Sequence, residues 1–215
     1  MAPATRAHGT RGAPPATANR PQRPLGSRRF WLLLAVYAIC GLQDFFVATH
    51  VVAFARDRGV DGILAGNLYA FMGLTGLIGV LAAGHLSDRR GPVLPTAICF
   101  VIRIAVFAAI PVFDGTVGIA AFALLYGSTF WITAPLTVVF VRQYFGIANL
   151  GAISGVVTMV HHGAGGLGAL AGGLAFDTEG RYTTMFLAML ALSALALWLT
   201  LRLARPAPAS ATPRP

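Results

Sequence analysis

Six long apolar stretches, separated by short polar segments, make up most of this 215-residue chain. They cover about 30–55, 62–86, 92–112, 116–141, 150–176 and 182–203, numbered here as spans 1 to 6. Each is long enough to cross a hydrocarbon layer of ~30 Å, which takes roughly 20 helical residues. Their hydrophobicity is continuous, without the two-residue alternation of a membrane β-strand. The pattern therefore predicts an all-α, polytopic membrane protein with six transmembrane helices.

The composition agrees with a membrane location. Hydrophobic residues make up 56% of the chain and charged residues 11%, against roughly 45–50% and 25% in soluble proteins. All sixteen basic residues are arginine, and with seven acidic residues they give a net charge of +9. The arginines lie in the tails and in the short segments between spans, as orientation in a membrane requires. We therefore expect no nucleic-acid partner.

The distribution of arginine also predicts the orientation. Six spans return the chain to the side on which it starts, and that side holds twelve arginines: Arg6, Arg11, Arg20, Arg23, Arg28, Arg29, Arg89, Arg90, Arg142, Arg202, Arg205 and Arg214. The opposite side holds Arg56, Arg58 and Arg181, and the remaining arginine, Arg103, lies inside span 3. Because positively charged segments stay in the cytoplasm, both termini are predicted to be cytoplasmic, with the protein in the cytoplasmic (inner) membrane.

Residues 1–29 and 204–215 are predicted to be tails that flank a transmembrane domain over 30–203. The first is rich in Arg, Pro and Ala and is expected to be disordered, since it has few large apolar groups to bury. Ser27-Arg28-Arg29-Phe30 is superficially like a twin-arginine export signal, but the apolar run after it is too long and five more follow. We therefore expect no cleavage.

Polar residues are unevenly distributed among the spans. A polar group in hydrocarbon is costly unless it has a partner, so such residues mark protein interior or a water-filled cavity. The candidates for a substrate or proton pathway lie on spans 1 to 5: Asp44, His50, Asn67, Arg103, Tyr126, Thr133, Thr158, His161 and His162. Spans 1, 2, 4 and 5 are predicted to line a polar interior, and spans 3 and 6 to face lipid. The same arrangement in spans 1–3 and 4–6 favours two inverted three-helix repeats.

Several of these residues keep two interpretations. Tyr126, Thr129, Thr133 and Thr137 share one helical face, but membrane hydroxyls often bond the carbonyls of their own helix. Asp44 either couples proton movement to a substrate together with His161 or His162, or serves as a structural partner. Arg103 either binds a substrate carboxylate or belongs to an internal pair.

Other kinds of site are not expected. Cys40 and Cys99 show no metal-ligand spacing and are predicted to be small core residues, so we expect no metal. The small-x-x-x-small pair Gly168 and Gly172 indicates close helix packing. Without lysine the glycines cannot complete a phosphate-binding loop, so no nucleotide cofactor is expected. The chain also shows no nucleophile–base pair and no H-E-x-x-H motif, so we expect it not to be an enzyme.

The segment from Gly84 to Gly91, GHLSDRRG, resembles the G-x-L-x-D-R-x-G signature loop of the major facilitator superfamily, which joins the second and third helices of each six-helix half. The glycine-rich run from Phe145 to Tyr182 and the segment after His50 are similar to the monocarboxylate-transporter-like branch, and indicate the C-terminal half. The chain departs from the pattern at Pro92-Val93-Leu94, where further basic residues usually follow the loop.

The resemblance implies secondary active transport of a small organic anion such as a monocarboxylate, with or without a proton. It implies alternating access together with a second six-helix half: a second copy, a separate chain or a missing upstream segment, the N-terminal tail then being a linker remnant. Gly84, Asp88, Arg89, Arg90 and Gly91 would form the cytoplasmic gating loop, with Asp88 bound to a helix N-terminus or an arginine, or simply solvated. A non-transporting fragment and a membrane scaffold or regulatory partner stay as alternatives.

Overall fold

The computed structural model describes residues 24–205, which are helical over most of their length and include no strand. After a 3-10 turn over Pro24–Gly26, the helices are α1 Arg28–Asp57, α2 Gly62–Arg90, α3 Val93–Ala109, α4 Thr116–Phe130, α5 Thr133–Phe145, α6 Leu150–Glu179 and α7 Thr183–Leu203. The all-α prediction is confirmed. The predicted disorder of the N-terminal tail falls mostly on residues 1–23, and the C-terminal tail on 206–215, both outside the described residues.

Four segments of the described range are long and apolar enough to cross a membrane: Arg28–Asp57, Gly62–Arg90, Thr116–Phe145 and Thr183–Leu203. Helix α3 is apolar but has only 17 residues. Helix α6 has 30 residues, including many glycines and two histidines, and is not among these four segments. The structure is therefore that of a multi-pass, all-α membrane protein.

Predicted span 4 consists of two helices instead of one. Helices α4 and α5 are separated by a turn at Trp131 and Ile132. Pro135 explains the break, because proline has no N–H to bond the carbonyl of Trp131 four residues earlier and its ring crowds that carbonyl. The break divides the predicted hydroxyl row, leaving Tyr126 and Thr129 on α4 and the other two hydroxyls on α5.

The predicted loop from Gly84 to Gly91 is largely helical, which corrects the sequence analysis. Residues up to Arg90 belong to the last turns of α2. No residue between Gly84 and Arg90 interrupts a helix, so the chain continues to Gly91, whose φ of 77° ends it. A left-handed φ favours glycine, and Pro92 beyond it cannot continue the helix.

The helices pack in pairs. The most extensive contacts are those of α1 with α6, α2 with α4, and α3 with α7. If α4 and α5 are counted as one helix, the described helices form two consecutive sets of three. The first helix of each set packs against the second helix of the other set, and the two third helices pack against each other. Glycines allow the close approach of the first two pairs: a side chain on Gly168 of α6 would collide with the Leu42 carbonyl of α1, and one on Gly79 of α2 with the Ser128 carbonyl of α4. The predicted role of glycine in close packing is confirmed.

Two apolar clusters fill the bundle, one towards each end. One surrounds Phe46, Phe107 and Phe186. The other includes Phe30 and Phe140 and lies towards the end at which α1 begins and α7 finishes. Five of the polar side chains that are almost fully buried belong to one layer between them, formed by Gln43, Asp44, Arg103, Thr129 and Ser193.

Candidate functional site

A cavity of about 290 Å³ lies beside this polar layer. Its lining comes from α1, α2, α4, α5, α6 and the turn between α4 and α5: Tyr37, Asp44, Phe45, Ala48, Tyr69, Phe130, Trp131, Thr133, Ala134, Thr137, Thr158, His161 and His162. Within the described part of the chain, neither α3 nor α7 contributes to it. The sequence predicted a polar interior for the same helices, namely spans 1, 2, 4 and 5. Most of the wall is nonetheless apolar, and the polar groups are grouped around Asp44, Thr133 and Thr158.

Arg103 is completely buried behind the cavity, and its guanidinium is fully engaged. Nη2 lies 2.6 Å from Asp44 Oδ1 and 3.2 Å from the Thr129 carbonyl. Nη1 donates to Gln43 Oε1 at 3.1 Å and Cys40 Sγ at 3.3 Å, and Nε donates to Thr129 Oγ1 at 3.1 Å. These contacts match the five N–H donors of arginine. The sequence left open whether Arg103 binds a substrate carboxylate or an internal partner. In the structure it pairs internally with Asp44.

Asp44 connects this buried network to the cavity. Its Oδ1 accepts a hydrogen bond from the Tyr126 hydroxyl at 2.9 Å as well as the bond from Arg103. Its Oδ2 faces His161 Nε2 at 3.3 Å and Cys40 Sγ at 3.5 Å. The carboxylate therefore has a cationic partner on one side and a histidine on the other.

The network also reaches α3 and α7, which correspond to spans 3 and 6 and were predicted to face lipid. The Gln43 amide donates to Ser193 Oγ at 2.7 Å and to the Met189 carbonyl at 2.9 Å, both on α7. Arg103 belongs to α3. The prediction for spans 3 and 6 was thus incomplete, because each also turns polar side chains inwards: Thr96 and Arg103 on α3, and Ser193 and Thr200 on α7, are buried.

Cys40, Asp44 and His161 bring three potential metal ligands within 4.8 Å of one another. Arg103 already contacts Asp44 Oδ1 and Cys40 Sγ from the protein side. A divalent cation there would lie against a fixed positive charge. The three residues are better explained as members of the hydrogen-bond network.

His161 and His162 follow each other on α6 but have different surroundings. The His161 side chain is 14% exposed and donates from Nε2 to Asp44. His162 is exposed, packs edge-on against Phe45, and has Nδ1 2.9 Å from the Thr158 carbonyl. Because a carbonyl only accepts, Nδ1 of His162 carries the hydrogen and Nε2 has a free lone pair.

The hydroxyls divide between the two interpretations that the sequence left open. Thr129 and Thr137 bond carbonyls of their own helices, at 2.7 and 2.8 Å. Thr133 and Thr158 line the cavity, and Thr137 does so as well. The side chain of Tyr126 is buried behind Asp44 instead of facing the cavity.

Two predicted pathway residues lie elsewhere. Asn67 is exposed on α2, away from the cavity lining. His50 links α1 to α6 and to the residue that precedes α7: Nε2 donates to the Ala169 carbonyl at 2.8 Å, so Nδ1 accepts from the Tyr182 hydroxyl at 3.2 Å. Burial, with the nearby Asp57 and Asp177, raises the pKa of Tyr182, which therefore stays protonated as the donor at neutral pH.

The predicted gating residues are at the far end of α2, away from the cavity. Asp88, Arg89 and Arg90 are all exposed. Among the described residues, no hydrogen bond or ion pair joins the Asp88 carboxylate to a helix N-terminus or to an arginine. Of the interpretations offered for Asp88, the solvated one describes this structure.

Several cavity residues were missed by the sequence analysis. Tyr37, Phe45, Phe130 and Trp131 line the cavity, but apolar and aromatic residues inside an apolar span resemble ordinary core or lipid-facing positions. The break at Pro135 is the signal that could have indicated Trp131, because it marks where the helix changes direction.

The cavity lies within an all-α membrane bundle, and the comparisons with known proteins show the family to which the chain belongs. The family model described as "Uncharacterised MFS-type transporter YbfB" matches residues 1–205. The chain belongs to this family of the major facilitator superfamily. The family and the relatives are transporters rather than enzymes, as the sequence predicted.

Three curated relatives are similar to parts of the chain. Monocarboxylate transporter 13 of Bos taurus is 31% identical over 144 residues, which are 66% of this chain and 34% of the relative. The uncharacterized MFS-type transporter YcxA of Bacillus subtilis is 28% identical over 162 residues, or 73% and 39%. Monocarboxylate transporter 13 of Rattus norvegicus is 28% identical over 144 residues, or 66% and 34%. The matched region spans little more than a third of each relative.

Proposed function

We propose that this chain takes part in secondary active transport of a small organic anion, such as a monocarboxylate. The observation that carries the proposal is the cavity, which brings Asp44, His161 and His162 together midway along the bundle between two apolar clusters. Its volume of about 290 Å³ suits a small molecule, and pockets for such ligands combine an apolar wall with few polar groups. Two relatives are named monocarboxylate transporter 13, which supports the substrate class.

A second six-helix half completes the transporter in this proposal, with the present chain supplying six spans as two three-helix repeats. The exchange symmetry of the helix contacts supports the repeats. Two helices of the cavity wall expose large apolar side chains, including Phe71, Leu74 and Ile78 on α2 and Leu167 on α6. A second copy, a separate chain or an upstream segment would cover part of this surface, and movement between the halves would give alternating access.

Proton coupling is assigned to Asp44 together with His161 or His162. Asp44 touches both the buried arginine and the cavity histidine, so a change in its protonation would alter contacts on both sides. Replacing Asp44 by Asn and following pH-driven uptake tests this assignment. Proton dependence equal to that of the wild type would reject Asp44 as the coupling acid.

Both termini are assigned to the cytoplasm. The end of the bundle at which α1 begins has seven described arginines and one acid: Arg28, Arg29, Arg89, Arg90, Arg142, Arg202, Arg205 and Asp88. The opposite end has three arginines and five acids: Arg56, Arg58, Arg181, Asp57, Asp61, Asp114, Asp177 and Glu179. This asymmetry follows the positive-inside rule. The exposed Asp88-Arg89-Arg90 segment would then gate the cytoplasmic side by contacts with the second half.

Uptake of labelled lactate into liposomes with an inward proton gradient tests the function. Ala134 lines the cavity, so Ala134→Phe should block it and abolish uptake. Ala191→Phe adds the same bulk to an exposed position of α7 and should leave uptake unchanged. Equal uptake by the two variants would exclude this cavity as the pathway. A wild-type chain that transports nothing but co-purifies with a larger complex would favour a scaffold.

A further inference from the structure

The candidate ligands for an anion in the cavity differ in how many donors they have free. Arg103, the side chain that chemistry would favour for a carboxylate, uses all its N–H groups on protein atoms. His161 donates from Nε2 to Asp44. His162 is the more exposed of the two cavity histidines, and its Nε2 has no partner among the described residues.

The charges around the cavity also favour His162 Nε2 as the group that would bind an anion. Asp44 and Arg103 balance each other at 2.6 Å. The other titratable groups facing His162 are His161 on its own helix, Tyr37 on α1 and Tyr69 on α2, and the α4–α5 wall contributes none. A proton on His161 would lie next to the Asp44 carboxylate. A proton on His162 would have no carboxylate beside it within the described chain, and a charge without a counter-charge is unfavourable beside the mostly apolar cavity wall.

We infer that His162 Nε2, and not Arg103, is the anion-binding group of the cavity, and that it takes up one proton with each monoanion. The inference rests on the proposed function and names the ligand group and its stoichiometry. The proton adds to the Nε2 lone pair, and the resulting imidazolium donates an N–H bond to the carboxylate. The positive charge of the imidazolium and the negative charge of the carboxylate then balance each other. The Thr158 carbonyl holds Nδ1, which keeps Nε2 as the atom to be protonated.

The same geometry predicts charge selectivity. One protonated histidine balances one negative charge, so a dianion would leave a charge without a partner. The apolar wall formed by Phe45, Phe130 and Trp131 suits an apolar or aromatic body attached to a single carboxylate. Binding of proton and anion is reciprocal: each raises the affinity for the other by the same factor.

Equilibrium dialysis of labelled benzoate with the full chain in detergent tests the inference, together with proton uptake measured in weak buffer. The wild type should bind benzoate with about one proton each, and its affinity should therefore fall as the pH rises. Terephthalate, a dianion of similar shape, should bind at least about tenfold more weakly. His162→Gln should lose proton uptake and at least about tenfold in affinity at about pH 6.

Two further variants make the result specific. His162→Arg places a permanent charge at the site, so it should bind benzoate without proton uptake and with an affinity that does not change with pH. His85→Gln is the control: it replaces an exposed histidine of α2 that does not line the cavity, and it should keep both the pH dependence and the proton uptake. Proton uptake that persists in His162→Gln would overturn this inference alone. A wild-type chain that binds no benzoate at any pH would overturn the inference and the proposed substrate class together.

Discussion

Arg103 Nη2 lies 2.6 Å from Asp44 Oδ1, joining α3 to α1 in the layer between the two apolar clusters. Neither side chain is appreciably exposed. Through Gln43, Tyr126, Thr129 and His161, the pair is bonded to helices α4, α6 and α7 as well. This ion pair and its partners therefore link five of the seven α-helices between residues 24 and 205.

Removing only one charge of the Arg103–Asp44 pair should be strongly destabilising. Arg103→Met leaves the Asp44 carboxylate buried without its counter-charge, and such changes cost about 3–5 kcal/mol. The double variant Asp44→Leu with Arg103→Met removes both charges and should recover more than half of that loss. Equilibrium unfolding in mixed detergent measures both. Equal losses in the single and double variants would mean that the charges do not interact across this distance.

Because α1 packs closely against α6, substitutions of different glycines on α6 should differ in their effect on stability. Gly168→Ala would push a methyl group into the Leu42 carbonyl, which should cost about 1–3 kcal/mol. Gly166→Ala, two residues earlier, meets open space and should be neutral or stabilising by up to about 1 kcal/mol through helix propensity. Thermal unfolding of the two variants compares them directly. The packing would be wrong if Gly166→Ala were the more destabilising change.

The start of α2 depends on one capping carboxylate. Asp61 Oδ1 accepts hydrogen bonds from the Ile63 and Leu64 amides at 2.9 and 3.1 Å. Asp61→Ala should lower stability by about 0.5–2 kcal/mol, whereas Asp61→Asn keeps an accepting oxygen and should lose much less. Chemical unfolding of both variants is the measurement. A loss of stability that is the same for Asn and Ala would point to the charge of Asp61 instead of its cap.

Water access should distinguish the cavity wall from the buried network. In a chain with Cys40 and Cys99 replaced by Ala, cysteine at Thr133 or Thr158 should react with a water-soluble maleimide, because both positions line the cavity. Cysteine at Thr129, which is fully buried, should react at least about tenfold more slowly. Labelling rates in proteoliposomes provide the comparison. Protection of both Thr133 and Thr158 in every condition would argue against an aqueous pathway through this site.

The sequence was sufficient for the helical class, for the position of most helices and for which of them line the cavity. Runs such as 30–55 and 62–86 lie within α1 and α2, because an apolar stretch of this length has few alternatives to a helix in lipid. The polar residues on spans 1, 2, 4 and 5 identified the cavity helices for the same reason. The sequence analysis missed two helix boundaries: the helical state of Gly84 to Arg90 and the break before Thr133. Both depend on where a backbone hydrogen bond is lost.

The amino-acid sequence by itself determined the class of protein: its length, apolar runs and scarce charges leave a helical membrane bundle as the stable arrangement, and its motifs indicated the superfamily. Only the tertiary structure decided what each buried polar group does. Arg103 and Asp44 are 59 residues apart in the chain, and no periodicity relates them. Whether an arginine is free for a ligand or bound by its own protein depends on distances between helices, and those distances are fixed by how the helices pack against one another.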